Sequence, residues 1–351
     1  MINWDNQFFW RLNMAINTDN FNFDPDQLWD KFRQERDKRL RADGNDQYKE
    51  VEGDFKYFVE DPYTEKVEKN SENLVTEVAI IGGGFGGILA ASRLRMSGIN
   101  DFKIIEKGGD FGGTWYWNRY PGAATDSEGY YYCLTFSKEI LQEWTWSERY
   151  PGWEETNRYL NFVADKCDMW PHIQLDTEVI SAEFNKEDGL WIVKTKNDEE
   201  LVCKYFISAM GMISQPVIPS FDGIENFNGP CFHSSRWPQE GLDYDGKKVA
   251  IVGCGASTVQ MLPIMAQTAE NVTVFQRTPN FVLPAMQKSM TPEWEKDIKD
   301  NYDEIIDNCR NHVFGMAFDS PVGRNEVNTP EDLSLIHIYE PTRLLSIEYA
   351  V

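Results

Sequence analysis

Val78-Ala79-Ile80-Ile81-Gly82-Gly83-Gly84-Phe85-Gly86-Gly87 is a short apolar run that stops on a glycine-rich turn. Gly82, Gly84 and Gly87 stand in the GxGxxG spacing. That spacing permits a tight turn, close approach of a pyrophosphate to the backbone and close packing of the next helix on the strand. The following segment, Ile88 to Met96, reads as a helix whose N-terminus offers free N–H groups and a positive dipole end to phosphate. A second strand, Phe102 to Ile105, ends in Glu106. A carboxylate there accepts from both ribose hydroxyls, which implies a nucleotide with a free 2′-OH. GxGxxG alone is a weak signal, and glycines kept only for packing are the alternative. Strand, turn, helix and acid in this order spell a βαβ dinucleotide fold.

The same unit recurs downstream. Val249 to Val252 is its strand, Gly253-Cys254-Gly255-Ala256-Ser257-Thr258 its turn, Val259 to Ala269 its helix and Val272 to Phe275 its next strand. Thr258 stands where a third glycine is expected, which predicts slightly looser helix–strand packing and an intact phosphate turn. Arg277-Thr278 replaces the acid at the strand end. The planar fork of arginine suits a 2′-phosphate, so NADPH is expected over NADH; an arginine merely exposed at a strand end is the alternative. Between the units, Thr177 to Phe184, Leu190 to Thr195 and Leu201 to Ser208 alternate in polarity, with turns at Asp188-Gly189 and Asn197-Asp198. That is the pattern of a β-meander inserted in the first domain. The expected fold class is α/β, with two Rossmann-like dinucleotide-binding domains, three-layer parallel sheets and the inserted meander. The expected boundaries are an N-terminal arm over 1–73, a first domain over 74–215 and a second over 216–332.

The arm contains one clear helix, opened by Asp24-Pro25 and ended near Gly44, with Leu28, Phe32 and Leu40 as its apolar stripe. An arm that packs on the main body is the plain reading, and one that gates a substrate site is the alternative. Two more helices are expected, over 154–170 and over 291–311.

Composition bounds the function. The chain has 351 residues, 41% of them hydrophobic, which is a globular balance with room for two cores. A formal net charge of −23 leaves no basic footprint for nucleic acid and disfavours anionic membranes. No apolar run reaches the roughly 18 residues of a membrane helix. Met1-Ile2-Asn3-Trp4-Asp5 does not open a signal peptide. Cys133, Cys167, Cys203, Cys231, Cys254 and Cys309 form no CxxC or CxxxxC pair, which argues against disulfide-reductase chemistry and against a zinc site. Scattered thiols fit a reducing compartment, so a cytoplasmic location is expected.

Two longer strings remain. Gly112-Gly113-Thr114-Trp115-Tyr116-Trp117-Asn118-Arg119-Tyr120-Pro121-Gly122-Ala123-Ala124-Thr125-Asp126 has the pattern Gly-Gly-x-Trp-x4-Tyr-Pro-Gly-x3-Asp. Its glycines permit close approach to a flat ring, and Asp126 brings a carboxylate into an aromatic setting where its pairing matters. Phe227-Asn228-Gly229-Pro230-Cys231-Phe232-His233-Ser234-Ser235-Arg236-Trp237-Pro238 carries Phe227, Gly229, His233 and Trp237 in a second fixed spacing. A structural, domain-linking histidine and a proton-transferring one are both open for His233.

These two strings resemble the two signatures of the Baeyer–Villiger monooxygenases, in the right order and over roughly residues 24–332. Trp237-Pro238 resembles this class more than the N-hydroxylases and other flavin monooxygenases. The arm, with Arg36 to Arg41 and Gly53-Asp54-Phe55, is similar to the members that take larger cyclic ketones. The resemblance implies FAD held by Gly82, Gly84, Phe85, Gly87 and Glu106, by Thr114, Trp115, Tyr116 and Trp117, and by Tyr132, with Val179 at the adenine. It implies NADPH held by Gly253, Gly255, Ala256, Ser257, Gln260, Arg277 and Thr278, and it places Asp126 near both flavin and nicotinamide as the catalytic acid. The implied reaction is oxidation of a ketone by O2 to an ester or lactone through a flavin C4a-peroxide. An S- or N-oxygenating enzyme and an inactive nucleotide-binding fragment are the alternatives. No metal is expected, and the oligomeric state is open.

The chain departs from the family pattern at three places. Ala124-Thr125 stand where members carry Arg-Cys or a similar pair, and Met210 replaces the threonine of an Ala-Thr-Gly strand end. The family's active-site arginine and its last third have no counterpart here, so the chain reads as C-terminally truncated. Residues 333–351, Leu333-Ser334-Leu335-Ile336-His337-Ile338-Tyr339 onward, resemble translated adapter sequence and read as a non-native tail.

Overall fold

The structure is a computed structural model that describes residues 24, 27, 30, 31, 33, 34, 37, 38, 48, 49, 60–65, 74–213, 215–219, 221, 223–277, 282 and 284–311. The chain divides into two compact units, and one of them holds Asn45–Gln276 and Pro284–Phe318. In the other, residues 27, 30, 31, 33, 34 and 37 are helical. There Asp24 Oδ1 accepts from Gln27 N at 3.3 Å, the cap that Asp24-Pro25 predicts. Leu28, Phe32, Leu40 and residues 333–351 lie outside the described residues.

The larger unit is built on a six-stranded sheet. Its strands are β2 (Leu74–Ile81), β3 (Phe102–Ile105), β4 (Ile173–Gln174), β5 (Val179–Asn185), β6 (Leu190–Thr195) and β7 (Glu200–Ser208), in the order β4-β3-β2-β7-β6-β5. A short pair, β1 (Tyr48–Lys49) with β8 (Ile218–Pro219), runs antiparallel elsewhere. The apolar run over 78–81 alternates in space. Val78 and Ile80 enter one core with Ile88, Ala91, Phe102, Ile104, Tyr159, Leu160 and Val163, while Ala79 and Ile81 enter a second with Ile105, Val193, Leu201 and Cys203. Burial on both faces is why this strand reads as a continuous apolar run. Each fully buried isoleucine contributes about 1.5–3 kcal/mol.

Helices α1 (Phe85–Met96) and α4 (Trp153–Lys166) cover the first face. The second face is packed by side chains of the sheet's own strands, so no helical third layer forms there among the described residues. The expected meander is β5-β6-β7, and it joins the first sheet. Its last strand, β7, pairs parallel with β2 from Leu74↔Leu201 to Ile81↔Ser208, and β6 and β5 follow it antiparallel. The sheet is therefore parallel over β4-β3-β2-β7 and antiparallel over the meander, as parallel strands with an inserted meander predict.

The second βαβ unit is β9 (Lys248–Val252), α5 (Ala256–Met265) and β10 (Asn271–Phe275), with β9 and β10 parallel in the register Lys248↔Asn271. The stretch expected as one helix over 291–311 is two, α6 (Pro292–Asp300) and α7 (Tyr302–Asn311). Asn301 separates them, its side chain turned back to Asp297 O at 2.8 Å. No helix among the described residues is long and apolar enough to cross a membrane.

Candidate functional site

The first glycine turn leaves β2 and enters α1. A Cβ on Gly87 would sit 1.8 Å from Gly82 O, so only glycine lets the first turn of α1 lie on the strand end. Glu106, past the end of β3, is 5% exposed. Its Oε2 accepts from Gly83 N at 2.5 Å and its Oε1 from Gly108 N at 2.7 Å. Burial pushes its carboxyl above the ordinary range, against the lowering pull of those backbone donors. The acid thus holds the turn itself, and each oxygen keeps acceptor capacity for a ribose hydroxyl.

The first fingerprint lies directly on this turn. Gly112 N donates to Gly83 O at 3.0 Å, and a Cβ on Gly113 would meet Gly84 Cα at 2.9 Å. Helix α2 (Thr114–Trp117) follows, with Trp115, Tyr116 and Trp117 buried and Thr114 exposed. Tyr132 gathers the aromatics, edge-on to Phe85 at 5.2 Å and to Trp115 at 5.7 Å between ring centres. The structure therefore brings together Gly82, Gly84, Phe85, Gly87, Glu106, Thr114, Trp115, Tyr116, Trp117 and Tyr132. Val179 opens β5 and packs against the core of Ala79, Ile81 and Ile105. Asn157 Oδ1, aimed at the Gly112 Cα, is buried without a partner among the described residues. Close-set glycine backbones, an aromatic cluster beside them and an unsatisfied buried acceptor fit a flat, polar-edged nucleotide.

The same fingerprint ends on the second unit. Gln260 of α5 donates through Nε2 to Ala124 O and to Asp126 Oδ1, both at 2.9 Å, and its Oε1 accepts from Tyr120 OH at 2.7 Å. Tyr120 and Ala123 share a core with Ile251, Met261, Met265 and Trp237. Asp126 is exposed, and its charge adds to burial in raising the Tyr120 and Tyr132 phenols, so those two rings stand near it. Beside it Thr125 is 3% exposed, and its hydroxyl has no hydrogen-bond partner among the described residues.

In the second turn Gly253 N donates to Phe275 O at 2.8 Å, and Gly255 and Ala256 are exposed where a phosphate would approach, with Ser257 half-buried beside them. Thr258 leaves the turn intact, as expected. It is 7% exposed and its Oγ1 donates to Gly253 O at 3.0 Å, so a hydrogen bond replaces the close glycine contact. Arg277 is exposed just past β10, and Thr278 lies outside the described residues.

The second fingerprint splits. Phe227 and Gly229 are exposed. His233 Nδ1 accepts from Ser235 N at 3.2 Å and caps a short 3-10 turn, Ser234–Arg236. Burial, then the nearby Arg236 charge, holds its pKa below the ordinary range, which suits a neutral structural imidazole. Trp237 is buried in the core of the second unit.

Sequence reading missed Asp61, Tyr63 and Thr64. Tyr116 OH donates to Asp61 Oδ2 at 2.5 Å, which leaves Thr64 Oγ1, 2.8 Å away, to donate to it. Gly109 N also reaches Asp61 Oδ2, at 3.1 Å. Tyr63 OH donates to Trp237 O at 2.9 Å and lies 3.3 Å from Trp117 O, and burial pushes its phenol up to about 12. Arg119 stacks on the Tyr63 ring at 3.6 Å. This short piece of the arm thus ties both fingerprints together.

A family profile described as pyridine nucleotide-disulphide oxidoreductase matches residues 79–331. The chain is 37% identical over 247 residues to cyclohexanone 1,2-monooxygenase of Acinetobacter sp., which covers 70% of this chain and 45% of that protein. It is 36% identical over 298 residues to a Baeyer-Villiger monooxygenase of Streptomyces coelicolor, covering 80% of this chain and 49% of the relative. The chain therefore spans about half the length of these relatives. Among solved structures, OTEMO in complex with FAD and NADP matches 70% of this chain and 47% of its own, with TM-score 0.66 and 38% identity. None of the six cysteines forms a disulfide in the structure. The chain belongs to the pyridine nucleotide-disulphide oxidoreductase family, and its two fingerprints are similar to those of the Baeyer–Villiger monooxygenases among these relatives.

Proposed function

We propose that the protein is an FAD- and NADPH-dependent monooxygenase that inserts one oxygen atom of O2 beside a ketone carbonyl, giving an ester or lactone. The observation that carries this reading is the first fingerprint, which touches one glycine turn through Gly112-Gly113 and the helix of the other through Gln260. One loop that contacts two nucleotide folds is what hydride passage between two cofactors requires.

FAD belongs at Gly82, Gly84 and Gly87, with its pyrophosphate at the start of α1 and its ribose at Glu106. Trp115, Tyr116 and Tyr132 wall that site, and Val179 borders the adenine. NADPH belongs at Gly253, Gly255, Ala256 and Ser257, with Arg277 and Thr278 at the 2′-phosphate. FAD held at the first turn would supply the oxygen chemistry, and NADPH the hydride. The chain's part is to orient and to exclude water. Gln260 holds Asp126 toward the seam between the sites, and the buried tryptophans keep the flavin side dry. A cytoplasmic enzyme acting on a large or cyclic ketone fits this reading.

The test uses the full-length protein. Stoichiometric FAD, NADPH oxidation that depends on cyclohexanone or a larger cyclic ketone, and a lactone product support the reading. NADPH oxidation that rises only with a sulfide or amine, and yields no lactone, defeats it.

A further inference from the structure

The nucleotide reading leaves one buried charge without a task. Arg236, 4% exposed, stands beside Trp237 in the second fingerprint. Its Nη1 donates to Ser235 O at 2.6 Å, and its guanidinium carbon lies 4.2 Å from the centre of the Trp117 ring. Its Nε and Nη2 are buried and have no hydrogen-bond partner among the described residues. These two nitrogens form the side-on edge of the guanidinium, whose parallel N–H bonds grip two oxygens of one phosphate or carboxylate. A buried, charged donor pair without an acceptor is the costliest kind of unmade bond, and native proteins keep such groups where a ligand satisfies them.

The acids nearby are already engaged. Asp61 accepts from Tyr116 and Gly109, and Glu178 from Lys107 and Lys196. Burial lowers the Arg236 pKa to about 10, which leaves it charged at neutral pH. On one side of it Trp117 ends α2, which lies on the first glycine turn. On the other Trp237 packs with Ile251, Met261 and Met265 of the second βαβ unit. The free fork stands between two nucleotide folds.

We propose that the Nε–Nη2 edge of Arg236 binds two phosphate oxygens of a bound dinucleotide. The inference rests on the two-nucleotide reading above. Two sources offer that chemistry, the pyrophosphate of FAD and the phosphates of NADP+, and the test separates them. In the full-length protein, FAD affinity is read by flavin fluorescence, NADP+ affinity by calorimetry on the FAD-loaded enzyme, and Tm on the nucleotide-free protein. Arg236→Lys keeps the charge and loses the fork. The expected result is a Kd raised about tenfold or more for one dinucleotide and less than about twofold for the other, with Tm unchanged. Arg236→Met removes an unmatched buried charge, so its nucleotide-free Tm holds or rises while the same dinucleotide weakens. Unchanged Kd values in both variants overturn the proposal, as does an equal loss of both dinucleotides in step with a lower Tm. Wild-type protein that takes up neither dinucleotide overturns the two-nucleotide reading, and the proposal with it.

Discussion

Gly87→Ala tests how closely the first turn is built. The added Cβ would lie 1.8 Å from Gly82 O and 3.0 Å from Gly82 C. Carbon and carbonyl oxygen ordinarily approach no closer than about 3.3 Å, so the turn and α1 must separate by about 1.5 Å. Both sides of the contact are backbone, and Ile88 and Ala91 of the helix are fully buried, so neither side yields without opening the core. Overpacking costs about 1–3 kcal/mol, and a clash that moves backbone lies at or above the top of that range. The expected loss is about 3 kcal/mol or more, with a lowered FAD affinity. The equivalent position in the second turn supplies the control. Thr258→Gly gives up one hydrogen bond to Gly253 O, worth about 1 kcal/mol, and adds glycine to a helix at about 1 kcal/mol. Urea unfolding followed by tryptophan fluorescence ranks the two. The reasoning is refuted if Gly87→Ala stays within about 0.5 kcal/mol of wild type, or if Thr258→Gly costs more.

Three further outcomes are expected. Asp61→Asn keeps the shape of the acceptor but removes the charge under Tyr116 OH and Gly109 N, so stability falls by about 1 kcal/mol and FAD binds more weakly; an unchanged urea midpoint and FAD Kd count against the strap. Glu106 has a folded-state pKa raised from 4.5 by burial, so the folded protein keeps a proton that the unfolded chain releases, and stability declines as pH rises from about 4.5 through the raised value and is level above it. Glu106→Gln removes that decline, read as the wild-type minus variant difference in urea midpoint across the acid range; a constant difference contradicts the assignment. Arg149→Ala strands the buried Glu128 carboxylate that it pairs, at a cost of about 3 kcal/mol in the same assay, and a cost under about 1 kcal/mol contradicts it.

What the sequence made legible was local. The GxGxxG turn, the acid at Glu106 and the apolar strands are set by short-range sterics and periodicity, so they can be read letter by letter. The strap of Asp61, Tyr63 and Thr64 was not legible, because its partners Tyr116 and Trp237 lie far off along the chain and no period announces them. At Thr258 the intact turn was legible, but the hydrogen bond from its hydroxyl to Gly253 O was not, because a glycine at that position would have no side chain to make it. The aromatic setting of Asp126 was legible from its neighbours, and Tyr120 and Tyr132 lie near enough to feel its charge. Its hydrogen bond to Gln260 of α5 was not legible, because that partner lies far along the chain. The meander itself was legible from its alternating strands, but such strands do not state which edge they join, and only the β2–β7 register does.

The strand order has a consequence for synthesis. β2 finds its neighbour β3 soon after it is made, but its other edge waits for β7, where Ile81 stands opposite Ser208. On the ribosome, that edge stays unpaired while α1, α4 and the meander are still emerging. Closing so long a loop is slow, and an open apolar strand invites pairing with another chain in the interval. The nascent protein is therefore most vulnerable just before β7 is released. Slower translation past residue 208, or a chaperone that shields strand edges, is expected to raise the folded yield more than any change made in the second βαβ unit.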